Sequence, residues 1–214
     1  QLVAAGANSE DWNGVVFTHS DADHFSVKEI QYALYPFTQR LYPHFAIYGN
    51  QAICDAIDYH YPEWPIESHV TKSFEPFSHA EYTITPIRAR HSPEEDCHNL
   101  IIDDGQSRAL YATDTGIWEA ETWDFLGSQK LDALVLECTN GRRRSEYLGH
   151  LNIEGCLDVI DRLRSMGTLR QGALVATTHH SHDGDMTYAE LCEALEPHNV
   201  IAGYDGLTLE VAPE

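Results

Sequence analysis

Four strand-length apolar runs in this 214-residue chain each end in a residue able to bind a metal ion, and that recurrence narrows the folds open to it. His19 follows Gly14 to Thr18, His91 follows Tyr82 to Arg90, Asp114 follows Arg108 to Thr113, and His179 follows Ala173 to Thr178. Loops that leave one edge of a sheet bring distant sequence positions together, while strand pairing holds them rigidly. Accident supplies one or two such endings; four independent ones point to a site. Capped helical segments alternate with the apolar runs, so the expected architecture is α/β.

The helix signals are local and explicit. Ser26-Val27-Lys28-Glu29 has the form of a capping box opening a helix that Pro36 must stop, and Asn50 is placed to cap a helix over Gln51 to Tyr59. Asn152 caps a helix running to Met166 and ending at Gly167, and Thr187-Tyr188-Ala189-Glu190 is a second capping box. Tyr82 to Ala89 alternates as a half-exposed strand, with Pro86 pushing it toward a sheet edge. Asp104-Gly105 turns the strand Asn99 to Asp103 into Arg108 to Thr113 as a hairpin. Leu131 to Cys138 reads as a buried strand, and Asp205-Gly206 leads into a short last strand, Leu207 to Val211. With no repeat, low-complexity tract or linker, one domain over residues 1–214 is expected.

The densest ligand signal is Thr18-His19-Ser20-Asp21-Ala22-Asp23-His24, directly after Gly14-Val15-Val16-Phe17. Imidazole with carboxylate suits zinc, manganese or iron. The five Cys are scattered with no Cys-x-x-Cys pair, which argues against a disulfide framework or a thiolate zinc cage and for reduced, cytoplasmic thiols. A net charge of -21 repels long polyanions, so a general tRNA or duplex-DNA groove is disfavoured. The longest apolar runs are strand-sized and no signal-peptide pattern is present, so a soluble protein with no membrane partner is expected.

Taken in order, these residues resemble the metallo-β-lactamase superfamily, whose hallmark is a His-x-His-x-Asp-His loop followed by a lone His, an Asp and a final His. Tyr111-Ala112-Thr113-Asp114-Thr115-Gly116, Glu137-Cys138-Thr139-Asn140, Gly149-His150-Leu151-Asn152 and Thr178-His179-His180-Ser181-His182-Asp183 are most similar to its phosphodiesterase branch, which includes tRNase Z, cyclic-phosphate diesterases and a group of DNA exonucleases. The resemblance implies an αββα sandwich and two divalent metal ions (Zn, Mn or Fe). By the same resemblance His19, Asp21 and His91 hold the first ion, Asp23, His24 and His179 the second, and Asp114 bridges them. Two close cations activate a hydroxide and accept a phosphoryl or carbonyl oxygen. His150 falls where the family has a phosphate contact or proton donor, oriented by Glu137. Asp23, Glu137 and His150 are accordingly the expected catalytic residues.

Two departures from the family pattern have consequences. Asp21 replaces the second His of the hallmark, a harder ligand that tilts preference from zinc toward manganese or iron. Only 18 residues precede His19, so part of the amino-terminal sheet is expected to be absent or shortened, and an exposed sheet edge favours a homo-oligomer such as a dimer. His98, His180 and His182 are alternative ligands or supports. Arg142, Arg143 and Arg144, the one concentrated positive patch, together with His150 are the expected substrate grip, and Trp118 is the candidate for stacking on a base or ring. The expected activity is phosphodiester hydrolysis on a small molecule or short single-stranded nucleic acid. Lactone or thioester hydrolysis and a non-catalytic metal-binding sensor are the alternatives.

Overall fold

A computed structural model describes residue 6, residue 8, residues 11–38 and residues 45–211. They fall into two compact units, one reaching to Lys72 and including Glu94–Asp96, the other formed by residues 73–93 and 97–214.

In the first unit, β1 (Gly14–Val16), β2 (Phe45–Gly49) and β3 (Ile66–Val70) form a parallel sheet in that order. α1 (Gln51–His60) connects β2 to β3, and Asn50 caps it by accepting from the Ile53 N–H at 3.2 Å. The Ile53 and Ile57 side chains of α1 are buried with Phe25, Ile30, Phe45 and Ile47, each such burial stabilising by roughly 1.5–3 kcal/mol. The capping box expected at Ser26 does not form: Val27–Ala33 is a 3-10 helix, and the Ser26 side chain makes no cap hydrogen bond. Its tighter turn ends at Leu34, before Pro36 is reached.

The second unit is built on a sheet ordered β10-β9-β8-β7-β6-β5-β4. Its strands are β4 (Phe77–His79), β5 (Tyr82–Arg88), β6 (His98–Asp103), β7 (Arg108–Ala112), β8 (Leu131–Glu137), β9 (Leu169–Thr178) and β10 (Ile201–Ala202). Its helices are α2 (Ala120–Gly127), α3 (Ile153–Ser165) and α4 (Tyr188–Leu195). β8 lies inside the sheet and is buried almost throughout, which explains why Leu131 to Leu136 reads as an apolar run broken only by Asp132. α3 packs Cys156, Val159, Ile160 and Leu163 into the core from one face, a helical spacing, while Asn152 caps it at the Gly155 N–H. The Asp104-Gly105 hairpin and the Thr187 capping box form as expected.

Two expectations need correction. β5 is not the edge strand, because β4 pairs with it, but β4 covers only Tyr82 to Ile84. Pro86 lies beyond that reach, its carbonyl accepting from Phe74 N–H, so the missing proline donor costs no ladder bond. Residues 207–211 are not a strand; they alternate in burial but pair with nothing in the sheet, whose last strand is Ile201–Ala202.

Strand direction positions the site. β6 runs antiparallel to both β5 and β7, while β8 and β9 run parallel to β7, so β5, β7, β8 and β9 all point the same way. His91, Asp114, Glu137 and His179 therefore emerge at one edge of one sheet.

Candidate metal centre

The first unit contributes a single loop. After β1, the Asp21 carbonyl accepts from the N–H groups of His24 and Phe25, closing a turn that presents His19, Asp21, Asp23 and His24. The His19 and His24 rings lie 4.6 Å apart, with His19 Nε2 3.6 Å from the Asp21 carboxylate and His24 Nε2 3.6 Å from that of Asp23. His19 is buried, and its Nδ1 lies 2.9 Å from the Thr18 hydroxyl. Glu95, which sequence reasoning missed, fastens the loop: it accepts from the Ser20 N–H and hydroxyl and from the Asn50 amide.

The second unit gathers His91, Asp114 and His150, whose potential ligand atoms all lie within 4.8 Å of one another. His179 Nε2 stands 3.4 Å from Asp114 Oδ1, and its ring stacks on that of His150 at 5.7 Å. Asp114 and His179 both adopt left-handed backbone conformations, with φ of 49° and 56°. Such strain at non-glycine residues persists only where surrounding bonds enforce it, and it concentrates at functional sites. Here Gly116 N–H donates to the Arg90 carbonyl at 2.8 Å, and a Cβ at Gly116 would lie 1.8 Å from the Leu148 carbonyl oxygen. That glycine lets the segments bearing His91, Asp114 and His150 meet.

Each imidazole in this group has its Nδ1 committed to the scaffold. His91 Nδ1 lies 3.2 Å from the Gly149 carbonyl, which can only accept, so Nδ1 is the donor in that bond. Tyr147, also unforeseen, donates its hydroxyl to the His91 carbonyl and lies edge-on to both His91 and His150. Glu137 is fully buried and accepts from His150 Nδ1 at 2.9 Å, Thr115 N–H at 2.7 Å, Leu151 N–H at 3.1 Å, and both the N–H and the hydroxyl of Thr139. Since the Thr139 hydroxyl gives its one proton to Glu137, it must accept from His179 Nδ1, 2.9 Å away. One buried carboxylate thus fixes two imidazoles, one directly and one through a threonine.

This relay yields a prediction. Thr139→Val keeps the shape and removes the acceptor for His179, so affinity for zinc is expected to fall by roughly 10- to 100-fold, with Thr139→Ser restoring it. Competition against a chromophoric chelator measures this; equal affinity in the valine variant overturns the relay.

Other expected residues lie elsewhere. Arg142 pairs with Glu190 at 2.9 Å and Arg144 with Glu154 at 3.0 Å, while Arg143 is exposed. Glu190 is held down to about 2 by the Thr187 N–H first, then by Arg142 and the Thr187 hydroxyl. Arg144 and His150 both line a cavity of about 280 Å³ with Arg90, Asn140 and Tyr147. Trp118 is corrected: it is buried, donating its indole N–H to Asn99 at 2.8 Å and packing edge-on against Trp123, so no face is available for a base. His98 is buried and joins no ligand group among the described residues. His180 bonds Thr177, and burial, then the neighbouring His179, lowers its pKa.

A sheet edge set with imidazoles and carboxylates, backed by a buried hydrogen-bonding layer, defines the metal-dependent hydrolase class of α/β domain. The family described as beta-lactamase superfamily domain matches residues 3–196, across both units, and the chain belongs to it. No curated protein matches the sequence. Among solved structures, the metallo-beta-lactamase fold protein YhfI from Bacillus subtilis is 19% identical, with 94% of this chain and 79% of that one covered at a TM-score of 0.73. A diphosphatase from the PhnP family is 20% identical, covering 92% of this chain and 70% of that one at 0.70. A possible metal-dependent hydrolase from Veillonella parvula is 15% identical, covering 94% and 79% at 0.68. At these identities the likeness establishes the metallo-β-lactamase fold. No helix among the described residues is long and apolar enough to cross a membrane.

Proposed function

We propose that this protein is a binuclear metal-dependent phosphodiesterase acting on a small or single-stranded nucleotide-type substrate. The observation that carries the reading is the Glu137–His150 pair, a fully buried carboxylate 2.9 Å from an imidazole that shares a ligand group with His91 and Asp114. The donor chemistry fits divalent metal ions: the candidate ligands are imidazoles and carboxylates, and His91, His150 and His179 each have Nδ1 bonded to the scaffold. His19, Asp21 and His91 would hold one ion and Asp23, His24 and His179 the other, with Asp114 as a further ligand, an assignment that rests on motif order. Bound there, the ions would supply Lewis acidity and lower the pKa of water.

The protein's own groups do the rest. Glu137 holds the His150 Nδ1 proton, which leaves Nε2 to exchange a proton with the phosphoryl or leaving oxygen. Arg90, Arg144 and Asn140 line the cavity beside His150 and offer donors to a phosphate. The net charge of -21 disfavours long polyanions and so limits substrate size. The PhnP-family diphosphatase with the same fold also acts at phosphorus. Protein supplied with Mn or Zn is expected to turn over bis-(p-nitrophenyl) phosphate or 2′,3′-cyclic nucleotides in preference to acyl-lactones and thioesters. Turnover of the acyl substrates alone overturns the phosphodiesterase reading.

A further inference from the structure

We propose that a cavity of about 580 Å³ in the first unit, walled by Trp12, Phe17, Phe25 and Tyr32 and bordered by Asp23 and His24, is a subsite for an uncharged aromatic ester group of the substrate. The proposal rests on the reading of the loop after β1 as metal-binding, and it deepens that reading by naming what the substrate carries next to its scissile bond. The volume lies in the range of small-molecule sites and far exceeds the voids that close-packed cores leave.

Chemistry selects the occupant. The described lining contains no Lys or Arg, whereas Asp23 and Glu29 both face the cavity. A second phosphate or another anion entering here meets like charge at the border of the cavity. An aromatic ring meets aromatic walls instead: the Phe17 and Phe25 rings stand edge-to-face at 5.0 Å, a geometry a third ring can extend. The rim continues the theme, since Tyr32 and Phe37 pack edge-to-face at 5.0 Å while both stay about half exposed.

Position ties the cavity to the ligand loop. Phe25 follows His24 directly, and its N–H donates to the Asp21 carbonyl at 2.8 Å, so the turn that presents the ligands also places this ring in the cavity wall. An ester held at the loop by its phosphoryl oxygen can therefore direct one substituent between Phe25 and Trp12. In the reaction, water adds to phosphorus, the bond to the leaving oxygen breaks, and that oxygen departs with a proton. The group in the cavity stays on the product.

Two p-nitrophenyl phosphodiesters with the same leaving group separate the outcomes, one carrying a phenyl and the other a methyl ester. The phenyl ester is expected to show a kcat/KM roughly tenfold or more above the methyl ester, expressed in KM. Ser26→Trp, at an exposed position lining the cavity whose side chain makes no cap hydrogen bond, is expected to collapse that ratio toward one. Independently of turnover, the ¹⁹F line of 4-fluorotoluene should broaden with the parent protein and sharpen again with Ser26→Trp. Equal turnover of the two esters overturns the subsite and leaves the phosphodiesterase reading standing. Broadening of the fluorine line with no ester turnover supports the aromatic cavity and counts against phosphodiester cleavage.

Discussion

Replacing Asp114 by asparagine is expected to lower turnover of bis-(p-nitrophenyl) phosphate by on the order of 10³-fold while leaving the fold in place, because under the proposed function an ion held there would supply several kcal/mol of charge stabilisation and each 1.36 kcal/mol is a factor of ten. The choice of asparagine follows from the backbone. Asp114 has φ of 49°, a region that asparagine tolerates far better than most residues, so the amide keeps both shape and conformation while it removes the charge and turns one acceptor oxygen into a donor. Alanine at the same position adds strain, and its loss would mix two causes. His179 Nε2 at 3.4 Å and the shared group with His91 and His150 make Asp114 the carboxylate around which the imidazoles of the second unit are arranged. Metal content by mass spectrometry should fall along with kcat, and circular dichroism should not change. A parent and variant equally inert, with metal retained in both, would instead identify a metal-binding protein without catalysis.

What could be foreseen and what could not divides along sequence separation. The caps at Asn50, Asn152 and Thr187 were readable because each is made within three residues of itself. The strand endings were readable because side chains that follow a strand are carried by it, whatever lies beside it. The same locality explains the failure at Ser26. Its motif has the right letters, but a 3-10 helix offers different donors from an α-helix, and the side chain finds none. Trp118 failed for a different reason. Proximity to Asp114 in sequence suggested the site, whereas the Asn99 side chain, 19 residues earlier, draws the indole N–H inward.

The supporting layer was almost wholly illegible. Glu95 reaches Ser20 across 75 positions and Asn50 across 45. Tyr147 meets His91 across 56, and Thr139 meets His179 across 40. None of these pairs has a periodicity or spacing signature; a threonine two residues past a buried glutamate looks like any strand end. The sheet order of the second unit, which brings the ends of β5, β7, β8 and β9 to one edge, makes the last two pairs neighbours, while Glu95 meets its partners within the first unit. Ligand types were thus visible from residue chemistry, and Glu137 behind His150 from the family resemblance, while the other residues that orient them required the fold.

Glu137 is where fold and site coincide, and its replacement is expected to damage both. The carboxylate is fully buried and accepts from three backbone N–H groups, one hydroxyl and one imidazole. Glu137→Ala abandons these donors in the interior; at 1–3 kcal/mol for each left unsatisfied, with water relieving some, the loss is roughly 3–5 kcal/mol. Glu137→Gln is no gentler, though it keeps the volume. Its NH₂ must face either Thr115 or the pair Thr139 and Leu151, and each side presents a backbone N–H that cannot accept. His150 could turn its tautomer to suit an amide; Thr115 N–H could not. Both variants are therefore expected to unfold roughly 6–20 °C below the parent, at about 2–4 °C per kcal/mol for 150–250 residues. The same variants should lose zinc affinity, because the route from Glu137 through Thr139 to His179 is cut. A glutamine variant that melts and binds zinc like the parent would show that the carboxylate is replaceable, and the shared buried anchor for the two imidazoles would have to be given up.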